Sequence, residues 1–195
     1  MKFFVNFLSA FRIVAAFAIV PLLIQNNFAW TFWVFVIASL TDFFDGLLAK
    51  RFNASSKLGA VLDQIADKFL ATNALIMLAI MSTLQGWLII VPAIVMICRD
   101  LYVSGLREFL GAHKADMPVP SPRFSMAKAK TFLQMLFLSL IFFSFYLQSL
   151  GYATKFTAYY LPMWSLYGLW IAMAAAILSA IAYTKDFAKK IKRIK

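Results

Sequence analysis

Asp42-Phe43-Phe44-Asp45-Gly46-Leu47-Leu48-Ala49-Lys50 is followed, after residues 51–58, by Gly59-Ala60-Val61-Leu62-Asp63-Gln64-Ile65-Ala66-Asp67. Four of the chain's eight acidic residues fall in this stretch, where two strongly apolar segments meet. A carboxylate at membrane depth costs about 3 kcal/mol on insertion scales, so it needs a partner or a task. Clustered carboxylates also repel one another. A divalent cation, which takes hard oxygen ligands, is the simplest remedy. The stretch therefore reads as a metal-dependent active site between two membrane helices.

The rest of the chain fits that setting. It has 195 residues, 63% hydrophobic and 17% aromatic, where a soluble domain is about half apolar. Six spans can be drawn, over 3–25, 28–49, 59–82, 86–108, 126–149 and 161–183, each near the roughly 20 residues that cross a bilayer. The expected fold is an all-α integral membrane protein. Six transmembrane helices surround a cytoplasm-facing polar cavity, and residues 1–195 form a single domain. The opening apolar run, from Phe3 to Ile24 with Arg12 inside it and no good cleavage site after it, reads as a retained first helix. One cysteine, Cys98, excludes an internal disulfide.

Charge sets the orientation. The tail from Lys185 to Lys195 carries six Lys/Arg, the 50–57 loop carries Lys50, Arg51 and Lys57, and the connection between spans 4 and 5 is also basic. The opposite loops hold only Lys155. Both termini and the basic loops are thus expected in the cytoplasm. Trp30, Trp33, Trp87 and Trp164 would form an aromatic belt at the outer interface. The net charge of +11 follows from this bias and from attraction to anionic membrane lipids. Basic residues without a readout motif do not indicate nucleic-acid binding.

Spans 2, 3 and 4 share an oddity. Span 2 is largely apolar from Phe28 to Leu40, span 3 from Phe69 to Met81, and span 4 from Trp87 to Cys98, before Arg99 and Asp100. About 13 residues rise only about 20 Å through a core of about 30 Å. Each helix must finish its crossing through polar residues, which should face one another around a wet cavity. Phase agrees: Asp42 and Asp45 are three apart, Asp63 and Asp67 four apart, so each pair shares a helix face. Gly46 and Gly59 lie one turn from a carboxylate and remove bulk there. The short 51–58 loop makes the two helices antiparallel neighbours. A cation channel or carrier would need acidic residues along a full transmembrane path, and the outer halves of these spans are apolar.

These residues resemble the signature of the CDP-alcohol phosphotransferase family, D-x2-D-G-x2-A-R-x8-G-x3-D-x3-D. Every spacing fits, with Lys50 in place of the signature's Arg and Arg51 directly after it. Lys keeps the charge and loses the bidentate fork, so either Lys50 serves or Arg51 helps. Asn6-Phe7-Leu8-Ser9-Ala10-Phe11-Arg12, Thr41, Ala66-Asp67-Lys68, Arg99-Asp100 with Ser104-Gly105-Leu106-Arg107-Glu108, and Ser125 with Lys128-Ala129-Lys130-Thr131 and Gln134 resemble the branch that uses glycerol 3-phosphate. Gln64 departs from that branch, which usually has Pro there.

The resemblance implies a homodimeric transferase in a bacterial inner membrane. It would move the phosphatidyl group of CDP-diacylglycerol to sn-glycerol 3-phosphate, giving phosphatidylglycerophosphate and CMP. Another acceptor (serine, inositol phosphate or phosphatidylglycerol) would keep the same reaction. Asp42, Asp45 and Asp63 would hold one or two Mg2+ or Mn2+ ions. Asp67 would complete the metal site or act as general base. Thr41, Gly46, Ala49, Lys50 and Gly59 would line the CDP site. Arg99, Arg107, Arg123, Lys128 and Lys130 are candidates for the acceptor phosphate, since Arg suits bidentate phosphate contact.

Overall fold

The computed structural model describes residues 2–52, 57–81, 86–112 and 126–194, with side chains at 7–41, 62, 65–66, 68–81, 86–109, 129–188 and 191. The chain forms six α-helices: α1 (Lys2–Ile24), α2 (Phe28–Phe52), α3 (Lys57–Met81), α4 (Gly86–Ala112), α5 (Met126–Ser149) and α6 (Leu161–Ile194). A π-helical turn over Phe156–Tyr160 leads into α6. The chain is an all-α membrane protein. The six expected spans each fall on one helix, and α6 runs on into the basic tail.

Two of the connections can be read from local chemistry. At the end of α1, Asn26 adopts a positive φ of 55°. The Asn27 N–H then reaches back to the Leu22 carbonyl at 2.8 Å and the Asn26 N–H to that of Leu23 at 3.0 Å. At the end of α5, Gly151 does the same with φ of 87°, and Tyr152 and Gly151 donate to Leu147 and Gln148. Both are Schellman caps, which need a left-handed residue that Gly and Asn tolerate. They satisfy helix-end carbonyls that lipid could not.

Packing contacts close the helices into a ring in the order α2, α1, α3, α4, α6, α5, and α5 returns to α2. α1 therefore stands beside both α2 and α3. Those two, expected as direct neighbours, touch only slightly among the described residues. A short connection fixes their antiparallel sense but not their contact area, and α1 has taken that area. Its small Ala16 meets α3 closely enough for Asn73 Nδ2 to donate to the Ala16 carbonyl at 2.9 Å. On the other side of the ring, Gly168 of α6 lies against the ring of Phe137, which a Cβ there would strike. Small residues allow such approach between membrane helices.

Each helix buries one stripe at alternating spacings of three and four, the signature of left-handed bundle packing. On α1 it is Ser9, Arg12, Ala16, Ile19 and Leu23; on α6 it is Ser165, Leu169, Ala172, Ala176, Ser179 and Tyr183. Outward positions are apolar, as at Val14, Phe17, Ile80, Leu101 and Ile171, which suits a lipid surround. Trp30, Trp87 and Trp164 are exposed near the starts of α2, α4 and α6. Among the described residues, α1, α4, α5 and α6 hold stretches long and apolar enough to cross a membrane, and α2 and α3 hold the apolar runs Phe28–Thr41 and Lys68–Met81. The expected early stop of α4 is not there: its apolar span continues to Phe109, because Leu101, Val103 and Leu106 follow the Arg99-Asp100 pair.

Candidate active site

The buried stripes locate the site. On α2 the stripe runs through Thr31, Phe35 and Ala38, all fully buried; the next positions at the same alternation are 42 and 45. On α3 it runs back through Met77, Ala74 and Leu70, and the next positions are 67 and 63. The described stripe of α2 thus ends at Ala38, and that of α3 runs back to Leu70 and Ala66. The side chains of Asp42, Asp45, Asp63 and Asp67 lie outside the described residues, as do those at Gly46, Ala49, Lys50 and Gly59. Thr41 is described, and its hydroxyl donates to the Ala38 carbonyl of its own helix at 2.7 Å.

The inward stripe of α4 passes through Ile89, Ala93, Met96 and Val103, and Asp100 stands on that line. Its Oδ2 accepts from Lys130 Nζ of α5 at 2.7 Å and its Oδ1 from Arg99 at 2.9 Å. Lys130 is 4% exposed and continues the buried α5 stripe of Gln134, Leu138 and Ile141. One turn on, the Ser104 hydroxyl donates to the Asp100 carbonyl at 2.6 Å and accepts from Lys68 of α3. Lys68 directly follows Asp67 in the chain. Asp100 and Ser104 thus tie α4 to α5 and to α3.

Of the expected phosphate ligands, Arg99 and Lys130 are brought together, through Asp100. Arg99 is turned toward α6: its Nε donates to the Ala176 carbonyl at 3.3 Å, and another nitrogen donates to Ser179. Arg107 also faces α6, donating to the Tyr183 hydroxyl at 2.7 Å with its guanidinium 5.2 Å from that ring's centre. It is not joined to Lys130. Arg123 lies outside the described residues, and Lys128 lies on α5 with its side chain outside them. Sequence reasoning named Asp100, Ser104 and Arg12 only as points of resemblance and gave them no role. A signal for two of them was present: Asp100 keeps the alternation of Ile89, Ala93 and Met96, and Arg12 that of Ser9 and Ala16.

A six-helix membrane bundle with apolar inward stripes that turn ionisable toward one end defines a membrane-embedded protein with its chemistry at one end of the bundle. The CDP-alcohol phosphatidyltransferase family model matches residues 3–182, and the chain belongs to that family. It is 38% identical over 141 residues to the CDP-diacylglycerol--glycerol-3-phosphate 3-phosphatidyltransferase of Cereibacter sphaeroides, a match covering 70% of this chain and 62% of that protein. It is 39% identical over 152 residues to the Rickettsia bellii protein of the same name, covering 78% of this chain and 75% of that one. The Rickettsia typhi protein of that name is 36% identical over 188 residues, covering 95% of this chain and 97% of its own.

Proposed function

We propose that this chain transfers the phosphatidyl group of CDP-diacylglycerol to sn-glycerol 3-phosphate, releasing CMP and forming phosphatidylglycerophosphate. The observation that carries the reading is the match of residues 3–182 to the family model, with the two aspartate pairs of the family signature on α2 and α3. The acceptor is supported by the relatives' names.

The donor set fits the expected cation. Four carboxylates, two on α2 and two on α3, would supply the hard oxygen ligands that Mg2+ or Mn2+ prefers. Asp42, Asp45 and Asp63, with Asp67 beside them, would hold the ion. When bound, it would neutralise charge on the diphosphate and on the departing CMP. The acceptor hydroxyl forms the new bond to the phosphatidyl phosphorus as the bond from that phosphorus to the CMP oxygen breaks. Asp67 is the candidate to take the hydroxyl proton. Thr41, Gly46, Ala49, Gly59 and Lys50 or Arg51 serve the CDP moiety. Lys130, buried and facing inward, is the leading contact for the acceptor phosphate, with Arg99 beside it. We further assign a homodimer in the inner membrane, with the site open to the cytoplasm.

The decisive experiment is turnover of purified protein on CDP-diacylglycerol with a panel of acceptors. CMP release with glycerol 3-phosphate should exceed that with serine, inositol phosphate or phosphatidylglycerol by at least about a hundredfold, a lower bound beside the roughly 10⁴-fold with which a site built to hydrogen-bond a polar group rejects an analogue lacking it. Preference for another acceptor would keep the reaction and overturn the acceptor. Topology has its own test. In a Cys98→Ala background, Ala54→Cys should react with an impermeant thiol reagent only after the cells are opened. Labelling from outside intact cells would invert the orientation, which rests on 18 Lys/Arg against Lys155.

A further inference from the structure

Lys130 is an ammonium buried in a membrane bundle, an expensive placement unless something holds it. Arg99 and Lys68 stand near enough to repel it. Asp100 lies between two of these cations, with one carboxylate oxygen on Arg99 and the other on Lys130. Its backbone is fixed in turn: the Asp100 carbonyl accepts from Ser104, whose hydroxyl is held by Lys68 from α3. Arg99 is anchored on α6 by Ala176 and Ser179. The carboxylate therefore cannot follow Lys130 freely; Lys130 must come to it.

We propose that Asp100 is a positioning residue that sets the affinity for the phosphorylated acceptor by holding the Lys130 ammonium in place. The inference rests on the reading of Lys130 as an acceptor contact. An ammonium carries three N–H donors, and one of them points to Asp100 Oδ2. Holding the ammonium by one donor leaves the other two oriented for an incoming anion without a search over the rotamers of a long side chain. That preorganisation lowers the ordering cost of binding. Removing the carboxylate leaves Lys130 to be pushed away by Arg99 and Lys68.

The test is a double-mutant cycle on the purified enzyme in detergent, with KM measured separately for each substrate. Asp100→Asn should raise KM for glycerol 3-phosphate at least tenfold and change KM for CDP-diacylglycerol less than twofold. Lys130→Met should raise the acceptor KM similarly. In the Lys130→Met background the further effect of Asp100→Asn should vanish, because Asp100 acts through Lys130. That double variant removes the carboxylate and its partner together, so it also covers the case in which Asp100→Asn alone fails to fold. If Lys130→Met raises the acceptor KM and Asp100→Asn alone does not, or if the two effects multiply, the positioning role is overturned while the acceptor reading stands. If Lys130→Met leaves the acceptor KM unchanged, the acceptor reading of Lys130 fails, and the positioning role fails with it. Equal defects for donor and acceptor in Asp100→Asn would make Asp100 a structural pair only.

Discussion

Replacing Asp42, Asp45 or Asp63 by Asn is expected to lower turnover by at least about a hundredfold and to leave a folded, inserted protein. Asn keeps the size and one oxygen of Asp and loses the charge. If these positions served packing, the change would be nearly silent. If they serve a divalent cation, each loss removes an anionic ligand from an ion that supplies several kcal/mol at the transition state, and each 1.4 kcal/mol is tenfold. These positions belong to α2 and α3, beyond the buried Ala38 on one helix and Ala66 on the other. Turnover should be measured over a Mg2+ and Mn2+ titration, with thermal unfolding as the control for folding. Near-normal turnover in any two of the three variants at saturating metal would sink the metal assignment.

Arg99→Met is expected to destabilise the bundle by about 3 kcal/mol, the scale for breaking a buried charged pair, which in a chain of this size lowers Tm by roughly 10 °C. Its side chain is 11% exposed and paired with Asp100, and it joins α4 to α6 through the Ala176 carbonyl and the Ser179 hydroxyl. Methionine fills much of the volume and makes none of those bonds. Arg107→Met should lower Tm far less, since Arg107 is exposed and its contact with Tyr183 resembles a surface cation–π pair of about 1 kcal/mol. Unfolding of the purified variants followed by differential scanning fluorimetry separates the two. An unchanged Tm for Arg99→Met, with a raised KM for glycerol 3-phosphate alone, would return Arg99 to the acceptor site.

Much of this was legible in the residues themselves. Six apolar segments with a basic excess on alternate loops specify a six-helix membrane protein, because lipid admits only internally bonded backbone and charge sorts the loops. The spacing of Asp42, Asp45, Asp63 and Asp67 carries the family signature, and carboxylates so close to apolar segments have few affordable roles. The shortness of the α2 and α3 apolar runs was equally plain.

The side-chain partners of the basic residues were not. Arg99 was expected among the contacts for the acceptor phosphate. Its neighbour Asp100 occupies the inward line, and one residue of helix is a turn of about 100°. Arg99 is thereby carried round to α6, while Asp100 meets Lys130. A linear sequence gives charge and depth but not which helix stands opposite. The insertion of α1 beside both α2 and α3 was hidden for the same reason: a short connection dictates direction, whereas neighbours are chosen by the fit of small residues such as Ala16. The sequence by itself determined the class, the helices and the family. The tertiary structure alone decided the order of the ring, and with it which cation each anion holds.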